Sequence, residues 1–200
     1  YQVAEGRTLR HVETGDARPF DNRLVKVSNF AFPLSDVVKN STLYLRVKSS
    51  GTLKIPIYFE QYEDLIQDEA AETLYTGAFA GYMGLMILMS LIIVAVNADK
   101  DYLLYSVYLS ASLGLTLNLH GLLFRWLWPA APEWNQVSTN LFAYTLIYFQ
   151  LVFVCRYIKL ENGHIKTLSD IFKMIAMVGL MVSLIPQWYM ALNKVSGLFI

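Results

Sequence analysis

Charge is what this sequence has least of. Only 16% of its 200 residues are charged, against about 25% in an ordinary soluble domain. The shortage is uneven: up to Tyr75 the composition is that of a soluble protein, and beyond it charge almost disappears from long stretches. The formal net charge is zero, so the basic excess of a nucleic-acid-binding chain is missing. A single cysteine, Cys155, excludes an internal disulfide and a multi-cysteine metal site. Within an apolar run it reads as a small buried residue. Gly-rich phosphate loops, His/Cys/Glu clusters at metal spacing and a Gly-x-Ser-x-Gly turn are also missing from the sequence, and with them the usual carriers of catalysis. No enzyme activity and no cofactor are expected of this stretch. It starts at Tyr1 without a secretory leader pattern and stops in the apolar rise Leu198-Phe199-Ile200. Both ends read as cuts in a longer protein.

What is present falls into two solvents. In the first part the dominant period is two. Leu43, Leu45 and Val47 alternate with Tyr44, Arg46 and Lys48. Beyond Ser49-Ser50-Gly51-Thr52, Leu53, Ile55, Ile57 and Phe59 alternate with Lys54, Pro56, Tyr58 and Glu60. Alternation on both sides of a Ser/Gly turn predicts a hairpin with one buried face. Pro56 has no N–H for a ladder, which puts its strand at an edge. Residues 24–34 read as one more strand. So few strands do not make a stable sheet alone, so residues 1–62 are expected to be the C-terminal part of a β-sandwich. Residues 63–76 lose the alternation and read as an acidic linker or short helix whose carboxylates form a solvated face.

Four charge-poor stretches follow, 77–96, 102–124, 136–155 and 174–192. Each has about the 20 residues needed to cross a hydrocarbon core, where a central charge would cost roughly 2.5–3.5 kcal/mol. A fifth span is expected to start from 195. The fold expected is therefore a partial extracytoplasmic β-sandwich followed by an α-helical transmembrane bundle over 77–200, with the lipid bilayer as its main partner.

Polar residues within the spans are the candidates for ligand contact or relay: Asn118 and His120 in the second, Asn140 and Gln150 in the third. Lipid cannot satisfy such groups, so they normally face the bundle interior, most often as interhelical hydrogen bonds. No carboxylate lies within a span to partner His120 as a proton relay. Gly77, Gly81 and Gly84 have the spacing that lets helix backbones approach closely, either inside the bundle or in a homodimer. On the β part, Tyr44, Arg46, Tyr58 and Tyr62 have the chemistry to hold an extracytoplasmic small molecule or carbohydrate, although strands often expose such residues for no special reason.

Several motifs follow in a telling order. Tyr102-Leu103-Leu104-Tyr105 opens the second span and His120-Gly121-Leu122-Leu123-Phe124 closes it. Leu127-Trp128-Pro129 and Pro132-Glu133-Trp134-Asn135 come next. With the glycines of the first span this resembles the bacterial seven-transmembrane receptors with diverse intracellular signalling modules, the 7TMR-DISM family. Upstream, the run from Thr42 to Gly51 and Ile55-Pro56-Ile57 look like the end of that family's periplasmic jelly-roll sensor domain. The family often has an aromatic-Asn pair inside the first span, where this chain has Met89-Ser90.

The resemblance implies the sensory and transmembrane part of a bacterial inner-membrane receptor. It would relay a ligand signal to an output module such as a diguanylate cyclase, a histidine kinase or a phosphatase. A transporter or channel subunit and a structural envelope anchor are the alternatives. Lys100, Arg156, Lys159, Lys166 and Lys173 lie in one set of loops, and only Arg125 and Lys194 in the other. The positive-inside rule makes the first set cytoplasmic and the N-terminal part external. An alkaline phosphatase fusion after Pro132 is therefore expected to be active and one after Asn162 inactive; the opposite pattern would invert the topology.

Overall fold

The computed structural model describes residues 2–4, 7–34, 42–47, 56–159 and 163–184. Three short strands, β1 (Gln2–Ala4), β2 (Arg7–Arg10) and β3 (Thr42–Leu43), form an antiparallel sheet in the order β2-β1-β3. It is far smaller than a sandwich, and among the described residues no second sheet faces it. Leu43, Leu45 and Val47, expected on a buried face, are exposed, because no second layer covers them there. Among the described residues of the expected hairpin, 42–43 are strand and 44–47 and 56–60 are irregular; residues 48–55, with the turn, lie outside the described residues.

The strand expected at 24–34 is replaced by a series of bends, and the reason is Arg23. Its guanidinium donates from Nη1 to the carbonyls of Val27 and Ser28, at 2.9 and 2.6 Å. Those carbonyls turn inward around the arginine and are spent before any sheet neighbour could take them. A one-turn 3-10 helix at Phe20–Asn22 sets up this curl.

The remainder is helical. α1 runs from Tyr62 to Asn97, α2 from Lys100 to Leu119, α4 from Pro132 to Tyr157 and α5 from His164 to Ser183, with the short α3 (Leu122–Trp126) between α2 and α4. The acidic linker expected at 63–76 is thus the first part of an unbroken α1. Alanine, glutamate, glutamine and leucine dominate it, all strong helix formers. α1 and α2 are joined by a turn at Ala98, which has φ 52° and donates to Val94 O at 2.8 Å, and at Asp99, which caps α2 by accepting from Asp101 N at 2.8 Å. Pro132 stands at the N-terminus of α4, where a missing N–H costs nothing.

α1, α2 and α4 are long and apolar enough to cross a membrane. α5 starts ahead of the expected fourth span and carries Lys166, Asp170 and Lys173, which keeps it off that group. Residues 185–192 of that span, and the fifth span from 195, lie outside the described residues. Large apolar side chains such as Leu85, Leu88 and Met89 point outward, while Ser90, Ser106, Asn118, Ser138, Ser169 and Ser183 are buried. That inversion is the signature of helices that pack through small and polar groups because lipid already solvates the apolar ones.

α2 packs between α1 and α4, and α4 between α2 and α5. Ser90 donates from Oγ to Tyr102 O at 2.8 Å and ties α1 to α2. Arg156 Nε lies 2.6 Å from Asp101 Oδ1 and joins the ends of α4 and α2. Cys155 Sγ is 3.0 Å from Ser169 Oγ, between α4 and α5.

Close helix approach is made by glycines other than those expected. A Cβ on Gly114 would lie 2.5 Å from the Phe142 ring, and one on Gly179 2.5 Å from the Tyr144 ring. The packing face expected at Gly77, Gly81 and Gly84 is not used within the described residues, since a Cβ on any of them would meet nothing within 4 Å. Gly114→Val is therefore expected to overpack the α2–α4 contact, a change that costs about 1–3 kcal/mol, and to lower the melting temperature in detergent. Gly81→Ala is expected to leave the monomer's melting temperature unchanged; the reverse ranking would restore the original packing face.

Candidate functional site

The 36 residues of α1 rise roughly 54 Å at 1.5 Å each, well beyond a hydrocarbon core of about 30 Å. The excess is its N-terminal part, where Glu63, Asp64, Asp68, Glu69 and Glu72 are found. Acidic side chains there suit the positive end of the helix dipole. They also keep these turns out of lipid, so α1 continues as a rod into the N-terminal part of the chain.

Glu69 is where three pieces meet. Its carboxylate accepts from Ser28 N at 3.1 Å to either oxygen and from Ser28 Oγ at 3.0 Å. On the bundle side, Arg125 Nη1 of α3 donates to Glu69 Oε1 at 3.2 Å. The Glu69 side chain is 13% exposed and that of Arg125 28%. One turn further along α1, Glu72 Oε1 lies 2.8 Å from His120 Nδ1. That second pair is much more exposed, and exposed ion pairs contribute about 0–1 kcal/mol. Glu69, poorer in water and richer in hydrogen bonds, is the stronger tie.

The N-terminal segment reaches the bundle a second time through Phe20. Its ring packs edge-on against Phe124 with centroids 5.8 Å apart, and its N–H donates to Pro129 O at 2.8 Å. Phe20, Val27 and Phe124 are all buried. Arg23 is held between the rings of Phe20 and Phe30, at 4.6 and 4.5 Å from their centroids, and pairs from Nη2 with Asp16 Oδ1 at 3.0 Å. Burial lowers the Arg23 pKa from its ordinary value, and the nearby carboxylates of Asp16 and Glu69 act against that fall. Guanidinium is so basic that it stays charged.

On the bundle side the tie is Asn118. The amide of this buried residue donates from Nδ2 to Thr139 Oγ1 at 2.5 Å and to Asn135 O at 3.5 Å, while Ser138 Oγ donates to its Oδ1 at 3.3 Å. Trp128 Nε1 donates to Asn135 Oδ1 at 3.2 Å, so the loop after α2 is pinned to the start of α4. The second span, expected over 102–124, is cut short here. α2 stops at Leu119, and Gly121 at φ 70° turns the chain back into α3, a left-handed conformation that glycine adopts without strain.

Between the two parts is a cleft of about 250 Å³. Asp16, Arg23, Ser28, Asn29 and Phe30 line it from the N-terminal segment, and Glu72, Asn118, His120, Phe124 and Asn135 from the helices. Of the residues singled out from sequence, Asn118 and His120 meet here. Asn140 is half-buried on α4, and Gln150 is exposed rather than turned into the bundle. Tyr44, Arg46, Tyr58 and Tyr62 are exposed and away from the cleft. Glu69, Glu72, Arg23, Phe20 and Arg125 were missed. Looking only inside spans for a partner of His120 passed over Glu72, which α1 supplies from outside one. Glu69 and Glu72, one turn apart and facing a short loop with Arg125 and His120, were the available signal. Among the described residues no group of three His, Cys, Asp or Glu side chains could hold a metal ion.

These features define a multi-pass helical membrane protein whose N-terminal part docks on one end of its bundle. The sequence matches the family model for the 7TM region of diverse intracellular signalling proteins over residues 72–200 and that for 7TMR-DISM extracellular 2 over residues 1–61. The chain belongs to the 7TMR-DISM family. No curated protein and no solved structure matches the sequence.

In a double-mutant cycle of Glu69→Gln and Arg125→Met, followed by thermal unfolding in detergent, a coupling of about 0.5–3 kcal/mol is expected for groups in direct contact. Additive effects would mean that the two side chains do not meet.

Proposed function

We propose that this chain is the sensory and transmembrane part of a bacterial signal-transducing receptor. Its N-terminal part, the end of a jelly-roll-like β-sandwich in the periplasm, takes up an extracytoplasmic small molecule or carbohydrate. The helices lie in the inner membrane with the loop after α2 outside, and pass the signal to a cytoplasmic diguanylate cyclase, histidine kinase or phosphatase elsewhere in the full protein. The family supports a signalling role, and one observation carries the relay: Glu69 on the continuous α1 holds both Ser28 of the N-terminal segment and Arg125 of the bundle. A displacement of the sensor then acts on a stiff helix that itself enters the membrane. A relay of this kind needs a ligand whose affinity differs between two receptor states. The open face of Gly77, Gly81 and Gly84 suits a homodimer partner.

The deciding experiment replaces the helices by a generic membrane anchor in the full-length protein, keeping the sensor and the output module. Stimulus-dependent output is expected to disappear although the protein reaches the membrane. Regulation that survives the exchange would reduce the helices to an anchor and end the relay reading.

A further inference from the structure

Arg23 carries an unmet demand. Nη1 and Nη2 are taken by Val27, Ser28 and Asp16, and the Phe20 and Phe30 rings lie against the guanidinium. Its side chain is only 5% exposed, yet Nε is buried with no acceptor. An unpaired donor on a buried cation is costly, and a bound group that supplies an acceptor would remove that cost. Arg23 lines the cleft between the N-terminal segment and the bundle.

We propose that this cleft is a binding site for a small zwitterion of amino-acid size, carrying one carboxylate and one ammonium group. The carboxylate supplies the acceptor that Arg23 lacks, reaching Nε as the half-exposed Phe30 ring at the cleft wall turns aside. A plain anion is disfavoured, because Asp16 and Glu72 also line the cleft. Each of these uses one oxygen in its pair with Arg23 or His120, and their side chains remain 58% and 46% exposed. They are therefore available to an ammonium group, whereas a plain cation would meet the Arg23 charge without compensation. Both signs on one wall favour a ligand with both signs. The cleft volume, about 250 Å³, falls below the roughly 300–1,000 Å³ of sites for drug-sized ligands. Phe30 and Phe124 supply apolar wall for a short carbon skeleton. A ligand held here touches the sensor segment and the helices together, so its binding energy bears on the contact between them.

The test is calorimetric titration of the full-length protein in lipid nanodiscs with L-alanine as probe, beside acetate, ethylammonium and glycerol. Saturable binding of alanine is expected, with each of the other three weaker by about tenfold or more, as the loss of one charge-assisted contact implies. Glu72→Gln and Arg23→Lys, the latter keeping the charge without the Nε donor, are each expected to weaken alanine by a similar factor. Glu72 is half exposed, so Glu72→Gln keeps the unliganded melting temperature and decides the matter if Arg23→Lys fails to fold. Absent binding, equal binding of acetate or glycerol, or alanine affinity unchanged in Glu72→Gln would each overturn the site, leaving water as the partner of Arg23. The readout uses no output activity, so it stands or falls separately from the receptor reading.

Discussion

Hydrocarbon rejects unpaired charge, and the position of Glu69 turns that rule into architecture. The carboxylate stands two turns before Gly77, where the charge-poor stretch of α1 begins. Every apolar turn after it is free to enter the bilayer and every turn before it is held out. Once α1 is set at that depth, Arg125 and His120 must come to the same level to meet Glu69 and Glu72. This fixes where α2 ends and where α3 lies. The N-terminal segment follows, because Ser28 shares the same carboxylate. One ionised group thus sets the level of three parts of the chain.

The helices below that level cohere differently. With apolar side chains solvated by lipid, little is gained by burying them against each other, and close contact must come from shape and hydrogen bonds. Phe142 against Gly114 and Tyr144 against Gly179 supply shape. Ser90 on Tyr102 O and Asn118 on Thr139 supply hydrogen bonds. Each such hydrogen bond is a modest contribution of about 0.6 to 2 kcal/mol, so the bundle rests on several contacts rather than one.

Membrane character, the family and the rough positions of the first three spans were legible because they depend on local composition. An apolar run of about 20 residues without charge matches the thickness of a bilayer core and little else. The ends of elements were not legible. The composition of 63–76 allows a helix, but nothing in it tells a free solvated segment from a helix docked through Ser28 and Arg125 as distant partners. Residues 24–34 alternate well enough for a strand, but Arg23 took the carbonyls a strand would have used. The close contacts at Gly114 and Gly179 were not legible for a related reason. Spacing within one helix picked Gly77, Gly81 and Gly84, whereas the aromatic ring that fills a groove belongs to another helix and leaves no local trace. Of the site, Asn118 and His120 could be singled out because polar groups in an apolar run are conspicuous. Their partners were ordinary acidic residues in an acidic segment and did not stand out.

The strength of the junction suits a relay better than a fastening. Coupling between two sites in a protein is typically about 1–3 kcal/mol, the scale of a charge-assisted hydrogen bond such as that between Arg125 and Glu69. Had the N-terminal part and the bundle shared a large apolar interface, a signal of that size would hardly move it. Among the described residues Phe20 on Phe124 supplies a small apolar contact, and the remainder is the Phe20 N–H on Pro129 O, Ser28, Glu69, Arg125 and the exposed Glu72–His120 pair. The exposed Glu72–His120 pair can be exchanged for water at small net cost, which leaves the half-shielded Glu69 contacts as the main resistance. α1 does not share that softness, because its backbone hydrogen bonds run unbroken from Tyr62 to Asn97. A compliant joint on a stiff rod confines motion to the joint and carries it along the rod. That division of stiffness is what the proposed relay requires.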